Sequence, residues 1–202
     1  MRELDKILDE KEKIFWEGKP NFWPFFASSF IISAFGLIFL FAGLVVLIAS
    51  IIKGEYMLIF FPHFWVGLAL VIGAPLYRYL VYGHTYYAIT HKRILFQKGV
   101  IGRDFEMVDF DKITNAEVNV GLLDKLFSKN SGSIMISTAG SFVSGRHGPI
   151  ARPYVLANIP DPYEIFKLFK KVSHAVKTDI EYPNAYRPKN NPGYNSEFKI
   201  KK

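Results

Sequence analysis

The chain has 202 residues, enough for one globular domain with an added element or for two very small domains. It contains no cysteine, which excludes disulfides, thiolate nucleophiles, Cys-ligated zinc and iron–sulfur clusters. The net charge of +7 is uneven, with 19 Lys and Arg against 11 Asp and Glu over residues 78–202 but 5 against 6 over residues 1–19, so the basic excess of the C-terminal part asks for an anionic neighbour, lipid headgroups or nucleic acid.

Residues 1–21 read as a polar N-terminal segment on the cytoplasmic side. No charged residue occurs from 20 to 52, and none from 56 to 77. A helix needs about 20 apolar residues to cross a hydrocarbon core of roughly 30 Å. Two spans are therefore expected inside residues 22–82, at about 25–52 and about 57–77. Asn21-Phe22-Trp23-Pro24 before the first, and Trp65, Tyr77, Tyr79 and Tyr82 in or after the second, suit the aromatic belts at the membrane surface. Pro62 belongs in the first turn of the second span, where its missing N–H costs little, and Pro75 is expected to kink or stop it. A cleaved signal peptide is disfavoured by the acidic N-terminal segment and by the length of the apolar run.

Lys53-Gly54-Glu55-Tyr56 reads as a tight turn, making the spans an antiparallel hairpin. Its tip carries one lysine, whereas Lys11, Lys13, Lys19, Arg78, Lys92 and Arg93 flank the other ends. The positive-inside bias predicts a multi-pass protein of the plasma membrane with both termini in the cytoplasm. Gly36, Ala42, Gly43 and Ala49 offer small faces for helix packing.

From residue 83 to 178 the pattern changes to short β-like segments: 85–90, 93–98, 103–110 and 113–120. Residues 121–127 form a short amphipathic helical turn, 133–138 return to strand, 139–149 read as a polar, Gly-rich loop, and 152–159 as the last strand. Asp161-Pro162 starts a helix with a capping acid and a first-turn proline, and its apolar face carries Ile165, Phe166, Leu168, Phe169, Val172 and Val176. The fold class is α+β: a two-helix transmembrane hairpin, then a small split barrel or bent antiparallel sheet capped by a C-terminal helix. Residues 179–202, with three prolines, several asparagines and a Lys-rich end, read as a disordered basic tail.

Several of these pieces, in this order, resemble the bacterial pleckstrin-homology (PH) domain of YdbS-like membrane proteins. The carrying residues are Tyr87-Ala88-Ile89-Thr90-His91-Lys92-Arg93-Ile94-Leu95-Phe96-Gln97-Lys98-Gly99-Val100, a strand ending in Thr, a basic turn and a strand ending in Gly. Two apolar spans precede them, and Glu12-Lys13-Ile14-Phe15-Trp16-Glu17-Gly18-Lys19-Pro20 is similar to the family's lead-in. The resemblance covers nearly the whole chain except the tail. It implies a PH-like split barrel, capped by a helix and anchored in the plasma membrane, and no settled activity.

Chemistry is hard to find. The five histidines lack metal-ligand spacing, no phosphate loop or nucleophile elbow is present, and Asp109 and Asp111 read as a solvated face. No enzyme activity, metal or cofactor is expected. Lys92 and Arg93 fall in the first strand-to-strand turn, where PH domains of similar shape hold lipid phosphates. With Lys98 and Arg103 at the next turn they form the candidate site for anionic headgroups; Arg146 and Arg152 are a second, weaker pair. Undirected attraction to the leaflet, about 1 kcal/mol per cation, explains the same charges. Nucleic acid is not expected, because the aromatic residues alternate as core strands do and leave no stacking platform. The functional expectation is an interaction or scaffold module that assembles with itself or with membrane proteins. The alternative is a transport or pore component of oligomerised hairpins, against which the charge-free spans count.

Overall fold

The computed structural model describes residues 3–56, 60–100, 104–139, 142–145, 148–151 and 153–181, with backbone only for 142–145, 148–151, 179 and 181. The chain divides into two compact units, one of residues 22–83 and one that joins residues 1–21 to the part after residue 83.

The smaller unit is helical. Helix α1 (Phe22–Ala27) leads into α2 (Ser29–Lys53), and α3 (Pro62–His84) follows. The hydroxyls of Ser28 and Ser29 donate to the carbonyls of Phe25 and Phe26, the local bonding that bends helices, at the break between α1 and α2. Gly54, at φ 73°, ends α2 in a left-handed cap, and the Ser50 hydroxyl closes the turn on the Glu55 carbonyl. Pro62 opens α3 as expected. Pro75 does not stop it: the helix runs on to His84, because a proline inside an apolar helix forfeits one hydrogen bond without forbidding the turns beyond it.

Ser29, Gly36, Gly43 and Ser50 are the buried residues of α2, spaced by seven, a repeat that holds one seam against a partner helix. The glycines permit close approach. A Cβ on Gly43 would collide with the backbone of Phe64, and one on Gly67 of α3 with the backbone of Leu40. Ser33 adds a hydrogen bond to the Val71 carbonyl at 3.3 Å. Ala42 and Ala49 lie on an exposed face. At the base of the hairpin the Phe22 ring meets Tyr82 at 5.0 Å, and Arg78 lies over Phe25 at 5.0 Å.

The larger unit is β-rich. Strands β1 (Ile14–Gly18), β2 (Tyr86–Thr90), β3 (Arg93–Lys98) and β4 (Asp104–Asp109) form one antiparallel sheet in that order. Strands β5 (Ile113–Asn119), β6 (Ser131–Thr138) and β9 (Tyr154–Pro160) form a second. Between β5 and β6 lies the short helix α4 (Leu122–Phe127), and α5 (Pro162–Glu181) closes the unit. The sheets share no ladder, so the PH-like barrel is not closed. Where a polar loop was expected after residue 139, β7 (Phe142–Gly145) and β8 (Gly148–Ala151) pair as a hairpin, their glycines and serine masking the short strands in sequence.

Tyr87, Ile89 and Phe96 from the first sheet, Ile134, Ile136 and Leu156 from the second, and Ile165, Phe169 and Val172 from α5 make one core. The Tyr87 hydroxyl accepts the Ala157 N–H at 3.2 Å, joining the sheets. A second cluster lies on the other face of β2 and β3, where Leu4 covers Ala88 and Leu95, with Ile7, Leu8 and Ile14 around them. Burial on both faces explains why Tyr87-Ala88-Ile89 and Ile94-Leu95-Phe96 carry apolar side chains without alternation. Residues 3–18 are thus tied to the sheet, Leu4 packing on it and β1 pairing in it: Trp16 pairs with Ile89, and Glu17 with Ala88.

Candidate functional site

The turn between β2 and β3 brings Lys92 and Arg93, two of the four residues expected at a headgroup site, together with partners from far upstream. Thr90 ends β2 fully buried, and its hydroxyl accepts the N–H groups of Lys92 at 3.1 Å and Arg93 at 3.0 Å, so the turn folds around it. The same hydroxyl lies 2.7 Å from Glu12 Oε1. Arg93 is held by Glu12 Oε2 at 2.8 Å, by Glu12 Oε1 through its Nε at 3.2 Å, and by Asp9 Oδ1 at 3.0 Å. The pairing is a fork of two parallel bonds, the strong form of the guanidinium–carboxylate contact. His91 completes the clamp: its ring Nδ1 accepts the Lys13 backbone N–H at 3.0 Å, and its backbone N–H donates to the Lys13 carbonyl at 3.1 Å.

Burial, the largest influence on Glu12, works to raise its pKa. The Arg93 guanidinium, the Asp9 N–H and the Thr90 hydroxyl overcome it and hold the carboxyl at about 2, below the ordinary 4.5. Arg93 is correspondingly pushed up, first by its bond to Glu12. Asp9, hydrogen-bonded by Lys92, is held below the usual carboxylate range.

The two cations of the turn are therefore different. The Arg93 side chain is 14% exposed and committed to a carboxylate that is 0% exposed. Lys92 makes one contact with Asp9 at 3.1 Å, the two side chains being 48% and 51% exposed. Exposed pairs of this kind are worth about 0–1 kcal/mol, so Asp9 holds Lys92 only weakly. Lys98 lies 3.5 Å from Glu106, on the neighbouring strand β4, and over the Phe96 ring. Arg103, Arg146 and Arg152 lie outside the described residues. Asp9 and Glu12 are the functional neighbours that sequence reasoning missed; the only signal for them was the lead-in segment, which gave no register to β2.

A second polar centre supports α4. The Asp124 carboxylate, 3% exposed, accepts the Gly121 N–H at 3.1 Å, the Ser131 hydroxyl at 2.7 Å and the Asn158 amide at 2.9 Å. It caps its own helix and ties it to β6 and β9. At the start of α5, Asp161 receives the Asn130 amide, and its carbonyl takes the N–H groups of Glu164 and Ile165.

A model of the bacterial PH domain family matches residues 27–172, from the end of α1 to the middle of the C-terminal helix. No curated protein matches in sequence. Among solved structures, similarity is found to a DUF1696 family protein with a pleckstrin-homology domain from Shewanella loihica PV-4, at 19% identity and a TM-score of 0.30, covering 44% of this chain and 70% of that one.

Proposed function

The chain belongs to the bacterial PH domain family, and from that premise we propose that it is a membrane-anchored, non-enzymatic interaction module. Its hairpin crosses the plasma membrane, and its PH-like unit works on the cytoplasmic face, against anionic lipid and with a second copy or another membrane protein. The observation that carries this reading is the bareness of the hairpin. The helical stretches Phe22–Lys53 and Pro62–His84 are long and apolar enough to span, yet only 17% and 6% of their most apolar windows are buried by the rest of the chain. A core helix of a soluble protein is covered by its neighbours. Here Phe30, Ile31, Ile38, Phe41, Ile52 and Phe60 are among many large side chains left open. At about 2 kcal/mol for each, water would cost tens of kcal/mol, far more than a domain's net stability of roughly 5–15 kcal/mol. A bilayer removes that cost.

Orientation follows from the flanking cations: Lys53 alone stands near the tip, against the basic residues around the other ends. At the β2–β3 turn, Lys92 is the cation free to exchange its partner for a headgroup, while Arg93 holds the N-terminal segment. The test is purification of the full chain in mild detergent, with crosslinking and mass spectrometry of co-purifying proteins and lipids. Reproducible crosslinks from the PH-like unit to a second copy or to one membrane protein are expected. Crosslinks no more specific than those of an unrelated two-span protein would contradict the module reading. A single lipid lost on Lys92→Ala would show headgroup selection at the turn; Lys92 is the informative site, because Arg93→Ala also strands Glu12.

A further inference from the structure

Helix α4 is fixed on one side and bare on the other. Its inner side is nailed down by Asp124, through Gly121, Ser131 and Asn158. Its outer side presents Leu122, 81% exposed, and Leu126, 71% exposed, one turn apart, with Phe127 beside them at 40%. Lys125 and Lys129 are exposed next to these residues, and neither has an ion-pair partner among the described residues. From 118 to 130 the one acidic residue is Asp124, and it is buried. Two leucines held in water beside two lysines, on a helix whose own acid is buried, are the opposite of a solvated helix face; the exposed Asp161 nearby is taken by the Asn130 amide.

We propose that α4 is a second membrane contact of the PH-like unit, in which Leu122, Leu126 and Phe127 enter the interfacial layer of an anionic bilayer while Lys125 and Lys129 engage its headgroups. The inference rests on the anchored reading, since the hairpin would keep a bilayer at high effective concentration and let a small apolar wedge suffice. Charge selects this occupant: lysines beside an apolar tip match a negatively charged lipid surface. Size points the same way. Three apolar side chains cover far less than the roughly 800 Å² per partner of a stable protein interface. A second copy would also bring its own lysines against these.

The absence of cysteine allows the test in the full chain. Single nitroxide labels at Leu126→Cys, at Lys167→Cys on the exposed side of α5 and at Ile38→Cys in α2 are placed in phosphatidylcholine vesicles with and without phosphatidylglycerol. Accessibility to oxygen and to a water-soluble nickel chelate is then measured. The label at 126 is expected to turn lipid-like when phosphatidylglycerol is present, and Leu122→Glu in the same chain to return it to water. The label at 167 stays aqueous and that at 38 lipid-exposed throughout. An aqueous 126 beside a lipid-exposed 38 overturns this inference and leaves the anchor standing; an aqueous 38 overturns the anchor itself. Shielding of 126 that is equal in detergent, with spin–spin broadening, assigns the face to a second copy and also overturns it.

Discussion

Glu12 and Arg93 show how much of this unit depends on one buried pair. Glu12→Gln leaves the guanidinium with Asp9 as its one carboxylate among the described residues and is expected to cost about 2–3 kcal/mol, read as a lower melting temperature of the detergent-solubilised protein. Because the folded state holds the Glu12 carboxyl at about 2, its contribution is complete above the ordinary 4.5 and is lost as the pH falls from there towards 2. The Gln variant is expected to lose that part of the acid dependence; an unchanged slope would remove Glu12 from the account. Asp124→Ala breaks three hydrogen bonds at a buried node and is expected to destabilise by about 2–4 kcal/mol in the same assay. The cations of the β2–β3 turn were legible in the sequence as a basic pair after a strand-ending Thr. Their carboxylates were not, because Asp9 and Glu12 lie some eighty residues upstream and are placed only by the pairing of β1 with β2.

Among the elements, β1 and the segment before it carry weight that their polar sequence conceals. Removing residues 1–20 is expected to uncover Ala88 and Leu95, leave β2 an unpaired edge and make the PH-like unit prone to aggregation, read by light scattering beside the full chain. In the hairpin, Gly43→Leu is expected to separate the helices and to lower resistance to SDS unfolding, by about 1–3 kcal/mol for an overpacked contact. Gly73→Leu, which meets open space, is the matched control and is expected to change little. Equal effects at the two glycines would refute the seam. Strands β2, β3, β5 and β6 were legible from their β-forming residues and the turn residues between them, and α5 from its 3.6-residue apolar face. Strands β7 and β8 were not, as Gly145, Gly148 and Pro149 punctuate them like a loop. Nor was β1, whose partner strand follows only after the hairpin.

For the molecule as a whole, the two long charge-free stretches announced two long apolar helices from composition alone, and the order of apolar helices, strands and closing helix announced the PH-like fold. The seven-residue seam lay in plain sight as Ser29, Gly36, Gly43 and Ser50, but which of many small residues face the partner helix is decided by three-dimensional approach. The exposed side of α4 was equally hidden: residues 121–127 read as a short amphipathic turn, and the buried Asp124 shows which side faces inward. The central claim is that the hairpin spans the membrane and holds the PH-like unit in the cytoplasm. Labelling intact cells with a membrane-impermeant maleimide tests it most directly, with Glu55→Cys at the hairpin tip and Lys167→Cys on α5 in the otherwise cysteine-free chain. The account predicts labelling of 55 from outside and of 167 only after the membrane is permeabilised. Labelling of 167 in intact cells, or protection of 55 there, would contradict it.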